Sequence, residues 1–167
     1  MGDNRINSIK IEIFFLNEIQ YNMAYIPFSK WLGPDGIQQF IIEKTGCKPF
    51  SGAGINPRIE HNTTILKTVD DTYYYDDDIR EPEIIKYTLF GHNGDQDESE
   101  KKFNEPLLNK NKTHHIYVYR VSTNCINEKY KWYGKYEIVD KNIKSHIGKD
   151  KIMRNIIILT LKRICIE

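Results

Sequence analysis

The sequence is poor in cysteine and in long apolar runs, and each shortage excludes a class of protein. Cys47, Cys125 and Cys165 lie far apart without a Cys-x-x-Cys pair, so we expect reduced thiols rather than a disulfide framework or a zinc site. The longest apolar runs, at 13–16 and 156–159, have four residues, whereas a membrane-spanning helix needs roughly 20. We therefore expect no membrane contact, and a location in the cytoplasm or in the nucleus of a eukaryote.

Net charge is also close to zero, at +1, which is not typical of a nucleic-acid-binding protein. The charge is unevenly distributed, however, because residues 1–100 carry a net −8 and residues 101–167 a net +9. The basic part could form one face that attracts phosphate groups. Alternatively, the acidic and basic segments pair across the fold and leave no basic patch.

Hydrophobic periodicity predicts short strands and two helices within a single domain of 167 residues. We expect a helix over 36–45, with Asp35 as N-cap, Gln38 completing a capping box and Gly46 as the stop. A second helix is expected within 100–108, where Pro106 would kink or end it. The expected strands are 9–15, 63–68, 83–88, 115–121, 131–139 and 152–164. These elements predict an α+β fold, a curled and mostly antiparallel sheet or partly open β-barrel with one or two helices outside.

Catalytic motifs are not convincing in this sequence. Glu100-Lys101-Lys102 has the spacing of a carboxylate–lysine nuclease, but it lies in a charged stretch where such triplets arise by chance. His114-His115 lacks the neighbouring Asn and the later His of an HNH nuclease. There is no phosphate loop and no nucleophile elbow. We therefore expect a binding module with no catalytic residue, no metal and no cofactor.

Motifs rich in tyrosine, aspartate and glycine follow one another from residue 73 onwards. The three tyrosines and three aspartates at 73–78, taken alone, would be an aromatic strand end that runs into a solvated acidic turn. The later motifs are Tyr-Thr at 87–88, Gly-Asp-Gln at 94–96, Phe-Asn-Glu-Pro-Leu at 103–107, His-Ile-Tyr-Val-Tyr-Arg-Val at 115–121 and Tyr-Gly-Lys-Tyr at 133–136. In this order, the series resembles the SRA (SET- and RING-associated, or YDG) domains, especially those of bacterial modification-dependent restriction endonucleases. The resemblance covers about residues 46–163 and leaves 1–45 as an N-terminal strand and helix extension of one SRA-like, PUA-like domain.

The resemblance implies that the chain binds double-stranded DNA and flips a 5-methylcytosine, or a related modified base, into a pocket. By this likeness Tyr75 and Tyr87 enclose the base, Asp78 or Asp77 reads its polar edge, and Thr88 is a second polar contact. Stacking on aromatic rings would offset the few kcal/mol lost when a base leaves the helix. A carboxylate can accept a hydrogen bond from the exocyclic amine of cytosine.

Further residues would support this pocket or contact the DNA backbone. Asp95 and Gln96 match the Asp-Gln pair of the family and would brace the loop under the pocket. Gly134 would be the turn residue between Tyr133 and Tyr136. The basic residues expected to contact the DNA backbone are Lys110, Lys112, Arg120, Lys129 and Lys131.

The sequence departs from the family pattern in three places. Leu89 stands where the family usually has glycine after Tyr-Thr, and Trp132-Tyr133-Gly134 replaces Tyr-Asp-Gly. The segment after Phe90 is too short for the long basic loop of hemimethylated-DNA readers. The chain could act alone or as the specificity module of a restriction system whose nuclease lies in another domain or subunit. Two other functions stay open: a small metal-dependent nuclease with an unrecognised site, and a related barrel that binds RNA or another partner and has lost base flipping.

Overall fold

The computed structural model describes residues 24–50, 52–69, 77–148 and 150–166. The predicted strand at 9–15 lies outside these residues. No helix in the described ranges is long and apolar enough to cross a membrane. In chain order the elements are β1 (Ile26–Phe28), α1 (Ile37–Thr45), β2 (Ile55–Arg58), β3 (Thr63–Val69), β4 (Ile84–Thr88), α2 (Asn104–Leu108), β5 (His115–Val121), β6 (Tyr130–Ile147) and β7 (Met153–Cys165).

The strands form one seven-stranded sheet in the order β2-β3-β5-β6-β7-β4, and β1 pairs with the start of β6. β3 and β5 run parallel, whereas the other described strand pairs are antiparallel. The sheet curls, but its edge strands β2 and β4 do not pair with each other, so the barrel stays partly open. This confirms the predicted α+β fold with a curled, mostly antiparallel sheet.

Alternation along the central strands gives the sheet two apolar faces. On one face, Ile65 and Trp132 pack with Ile41 of α1. The next residues along the same strands, Leu66 and Tyr133, belong to the main core instead. Successive side chains of a strand point to opposite faces, so α1 covers the outside of the curl and the main core fills its inside.

The two ends of α1 differ in how well the sequence predicts them. Its N-cap is Gly36, and no side chain caps the first turn. The predicted capping box is therefore wrong, because the Asp35 carboxylate accepts a hydrogen bond from Lys30 at 3.2 Å instead. Gly46 ends the helix as predicted, in the left-handed conformation that favours glycine.

α2 is shorter than predicted because the carboxylate of Glu100 precedes the helix and caps it. This carboxylate accepts hydrogen bonds from the backbone N–H groups of Lys102, Phe103 and Asn104, at 2.9, 2.8 and 3.2 Å. Burial raises the pKa of Glu100, but these three N–H groups outweigh it and hold the pKa below its ordinary value. Pro106 lies in the first turn, where its missing N–H leaves no hydrogen bond unmade.

Gly134 lies inside β6 and not in a turn. It pairs with Val118 next to a bulge, with φ at 100°. A Cβ at this position would collide with the carbonyl oxygen of Cys165. The prediction of a turn between Tyr133 and Tyr136 is therefore wrong, because the glycine instead lets the end of β7 approach β6 closely.

Candidate nucleic-acid interface

A concave pocket of about 640 Å³ lies between the two sides of the curled sheet. Its walls come from the loop before β2, the end of β3, the end of β4 and the facing ends of β6 and β7. Ligand sites commonly have volumes of about 300–1,000 Å³. Asp77, Tyr87 and Thr88, three of the residues that the sequence assigns to the base, line this pocket.

Tyr87 forms a fixed wall of the pocket. Its side chain is part of the main core, and the residue is only 3 % exposed. The hydroxyl donates a hydrogen bond to the carbonyl oxygen of Lys67 at 3.4 Å, and a Cβ added to Gly54 would lie 3.3 Å from the same hydroxyl oxygen. Tyr87 therefore links β4, at one edge of the sheet, to β3 and the loop before β2. Tyr75 lies outside the described residues, so the pair of rings stays a prediction.

Asp77 and Thr88 lie side by side in the pocket wall. The backbone N–H of Thr88 donates a hydrogen bond to Oδ1 of Asp77 at 2.7 Å, which orients the carboxylate. The hydroxyl of Thr88 is buried and has no hydrogen-bond partner in the described part of the chain. An unsatisfied buried polar group costs about 1–3 kcal/mol. A ligand with a complementary polar edge would remove this cost.

Asp78 is not among the residues that line the pocket. Its two carboxylate oxygens accept hydrogen bonds from the Arg80 side chain at 3.0 and 2.6 Å. These hydrogen bonds hold the pKa of Asp78 below its ordinary value. Of the two aspartates that the sequence leaves open, Asp77 is the one that the structure brings to the pocket.

Asp95 and Gln96 connect the loop after β4 to β7. Gln96 Nε2 donates to the carbonyl oxygen of Leu89 at 2.6 Å, and its Oε1 accepts the backbone N–H of Ile157 at 2.7 Å. Asp95 Oδ1 accepts the backbone N–H of Asn155, also at 2.7 Å. Both side chains thus hold a loop beside the pocket, which is where the predicted bracing role would act.

Phe90 and Phe103 line the pocket, although the sequence did not assign them to it. Their ring centroids are 4.6 Å apart, and Phe90 is 36 % exposed. Asn104 accepts the backbone N–H of Phe90 and donates to its carbonyl oxygen, both at 2.9 Å. The Phe-Asn pair at 103–104 in the motif series was the signal that could have revealed this aromatic edge.

Arg154 and His146 also line the pocket and face each other across the β6–β7 hairpin. Arg154 Nη1 donates a hydrogen bond to the carbonyl oxygen of Gly91 at 2.7 Å. The sequence motifs do not assign either residue to the pocket. Both residues reach the pocket from the end of the hairpin where β6 and β7 are joined.

Solved structures share this fold. The "Modification dependent TagI restriction endonuclease" aligns with a TM-score of 0.54 and 16 % identity, over 85 % of this chain and 50 % of its own. The "Sulfur binding domain and SRA domain of ScoMcrA complexed with phosphorothioated DNA" aligns with a TM-score of 0.51 and 18 % identity, over 86 % and 40 %. The SUVH5 SRA domain, bound to fully hydroxymethylated CG DNA, aligns with a TM-score of 0.51 and 17 % identity, over 86 % and 95 %. The chain has an SRA-like fold.

The likeness to SRA domains is carried by the fold, since identities of 16–18 % are low. No protein-family profile matches the sequence, and no curated protein matches it. The chain spans half of the TagI chain and 40 % of the ScoMcrA chain, but nearly all of the SUVH5 SRA chain.

The five basic residues predicted to contact the DNA backbone are not clustered in this SRA-like fold. Arg120, Lys129 and Lys131 lie where β5 and β6 meet, beside the end of β3 that borders the pocket. Lys110 and Lys112 precede β5 and so lie beyond the other end of β3, about 20 Å away at roughly 3.3 Å per strand residue. Lys112 also forms a 2.7 Å ion pair with a carboxylate of α2.

The residues of the two nuclease-like motifs, at 100–102 and 114–115, make contacts that belong to the fold itself. The carboxylate of Glu100 caps α2, as described above, and the rings of His114 and His115 contact each other with centroids 5.3 Å apart. The three cysteines form no disulfide bond, and Cys47 is the buried one. In the described ranges, no three or more His, Cys, Asp or Glu side chains are grouped so that they could hold a metal ion.

Proposed function

We propose that the chain is a DNA-binding module that recognises a modified base, 5-methylcytosine or a relative of it, flipped out of the duplex into the 640 Å³ pocket. The observation that carries the proposal is the buried, unpartnered hydroxyl of Thr88 beside the oriented carboxylate of Asp77. The solved SUVH5 SRA domain, which has this fold, is bound to hydroxymethylated DNA, and the sulfur binding and SRA domains of ScoMcrA are together complexed with phosphorothioated DNA. Both complexes support DNA as the partner.

In this proposal, two polar groups read the edge of the flipped base. The Asp77 carboxylate accepts a hydrogen bond from the exocyclic amine of cytosine, and the Thr88 hydroxyl makes the second contact. Tyr87 and the partly exposed Phe90 supply aromatic surface, and Tyr75 is the proposed ring on the opposite side. Stacking on these rings offsets the cost of removing the base from the helix.

We further propose that the chain acts as a specificity module without a catalytic centre of its own. Any cleavage would then come from a nuclease in another domain or in a partner subunit. The relative chain lengths support this division, because the chain matches only half of the TagI restriction endonuclease chain.

One observation favours a second candidate, a barrel that binds RNA or another partner without flipping a base. The ring of Tyr87 belongs to the main core and its hydroxyl is hydrogen-bonded, so less of its surface is available for stacking than in an open slot. This candidate predicts equal affinity for modified and unmodified duplexes, and binding to single-stranded RNA at least as tight as to either.

The test compares duplexes that are identical except for one cytosine, which is unmodified, 5-methylated or 5-hydroxymethylated. Asp77→Asn keeps an oxygen for the Thr88 N–H but removes the charge that accepts the exocyclic amine. We expect it to weaken binding to the preferred modified duplex by about 5- to 150-fold, corresponding to about 1–3 kcal/mol. Binding to the plain duplex should barely change, because phosphate contacts dominate it.

Asp78→Asn is the matched control, since Asp78 is bound to Arg80 and is not among the pocket residues. We expect this variant to keep the preference for the modified duplex. Equal affinities of the wild-type chain for all three duplexes would refute base reading. A loss of preference in Asp78→Asn but not in Asp77→Asn would move the edge reader to Asp78.

A further inference from the structure

A second concavity, of about 450 Å³, lies beside the pocket and shares Lys67 and the end of β3 with it. We call it the aromatic groove and define it by five of its residues. These residues are Trp31, Lys67, Tyr119, Lys129 and Tyr130. Three aromatic rings and two lysines thus surround one depression outside the base pocket.

The three rings form a platform and not a slot. The ring centroid of Trp31 lies 5.6 Å from that of Tyr130 and 5.9 Å from that of Tyr119. Rings at these distances already contact one another, so no further ring fits between them. A planar ligand would therefore stack on the outer surface of Trp31 or Tyr130, which are both only partly buried.

Charge selects the kind of planar ligand. The described residues that line the groove include two lysines and no carboxylate, which disfavours a cationic ligand and favours an anionic one. The Nζ atom of Lys129 lies 5.7 Å from the ring centroid of Tyr130. The backbone carbonyl oxygen of Lys129 accepts a hydrogen bond from the backbone N–H of Ser122 at 2.7 Å, which fixes the backbone at Lys129. A phosphate next to a stacked ring meets both requirements.

One polar atom in the groove wall also lacks a partner. The residue Tyr119 is fully buried, and its hydroxyl makes no hydrogen bond with any described residue. A buried polar atom without a partner is unusual in a folded protein. Tyr119 lines the groove, so this unsatisfied hydroxyl belongs to a residue of the groove wall.

We propose that the aromatic groove binds one nucleotide unit of DNA, with its base on the platform of Trp31 and Tyr130 and its phosphate between Lys67 and Lys129. The choice of DNA rests on the proposed function, because the groove and the base pocket share Lys67 in their walls. The groove would hold a second nucleotide of the same DNA, outside the base pocket.

Tryptophan fluorescence can test this, because the chain has two tryptophans and the other one, Trp132, is fully buried. The probe is a single-stranded thymidine trinucleotide titrated into the full chain. We expect saturable quenching that Lys129→Ala weakens by about tenfold or more, since hydrogen bonds to charged groups are of this strength. Trp31→Phe should remove the signal but keep binding in calorimetry, and Lys112→Ala, at the other end of β3, should change neither.

The outcomes separate this proposal from the proposed function. Two results would refute nucleotide binding in the aromatic groove: no quenching at millimolar trinucleotide, or quenching that Lys129→Ala leaves intact. Either result would do so even if Asp77→Asn abolishes the preference for the modified duplex. Quenching that depends on Lys129 supports the groove even if no duplex preference is found. Loss of quenching in Thr88→Val would assign the trinucleotide to the base pocket and overturn the groove. Tighter binding of a uridine trinucleotide would overturn the choice of DNA.

Discussion

Replacing Thr88 by valine should change stability and DNA binding in opposite directions. The two side chains have nearly the same shape, so the substitution removes a buried hydroxyl that has no partner in the described structure without opening a cavity. An unsatisfied buried polar group costs about 1–3 kcal/mol. We therefore expect the free energy of unfolding to rise by about 1 kcal/mol or more, and Tm by about 2–4 °C for each kcal/mol in a chain of this size.

The same substitution should weaken binding to the modified duplex, because the hydroxyl is then missing from the edge of the base. The expected loss is about 5-fold or more, from a free-energy change of at least about 1 kcal/mol. Affinity for the unmodified duplex should stay nearly constant, since it depends on phosphate contacts.

Two other buried threonines provide matched controls. The Thr68 hydroxyl is also buried without a described partner, but Thr68 does not line the pocket, so Thr68→Val should raise Tm and leave DNA binding unchanged. The Thr64 hydroxyl donates to Thr113 Oγ1 at 2.7 Å, so Thr64→Val should lower the free energy of unfolding by about 0.5–1.5 kcal/mol.

Thermal unfolding followed by circular dichroism and fluorescence anisotropy with labelled duplexes would measure both effects. A fall in Tm for Thr88→Val, like that expected for Thr64→Val, would show that the Thr88 hydroxyl has a partner in the free protein. A rise in Tm with no change in DNA preference would refute its role as a ligand contact.

Two further predictions concern the glycine in β6 and the salt dependence of binding. Gly134→Ala should lower the free energy of unfolding by about 3 kcal/mol or more, because the added Cβ clashes with Cys165 and φ is positive. Gly52→Ala is the control, because apart from its chain neighbours no atom lies within 4 Å of the added Cβ. Urea titrations should show that this control is nearly neutral. Lys129→Ala should reduce the steepness of the plot of log affinity against log salt concentration by about one unit. Lys112→Ala should leave this slope unchanged. Equal effects of the two substitutions would contradict the separation of the basic residues.

Local patterns were sufficient to predict most of the sheet. The alternation that places Trp132 on one face and Tyr133 on the other is visible in the sequence, and β5 has the predicted bounds, 115–121. One error arose where a contact distant in sequence decides the local structure. Gly134 is a strand residue because the end of β7 lies against it, and no neighbouring residue indicates this.

The candidate site was predictable only in part for the same reason. Motif order pointed to Asp77, Tyr87 and Thr88, which the structure brings together, but it could not choose between Asp77 and Asp78. That choice depends on which carboxylate meets the Thr88 N–H and which meets Arg80. The sequence also could not predict that the basic residues lie at opposite ends of β3, because their positions depend on the parallel pairing of β3 with β5.

The parallel pairing of β3 with β5 also bears on how the protein folds. All of β4 and α2 lies between these two strands in the sequence, so a long loop must close before the centre of the sheet can form. Chains dominated by such distant contacts fold slowly, over milliseconds to seconds. β3 and β4 both contribute walls of the pocket, so ligand-binding competence should appear only in the last kinetic phase of refolding.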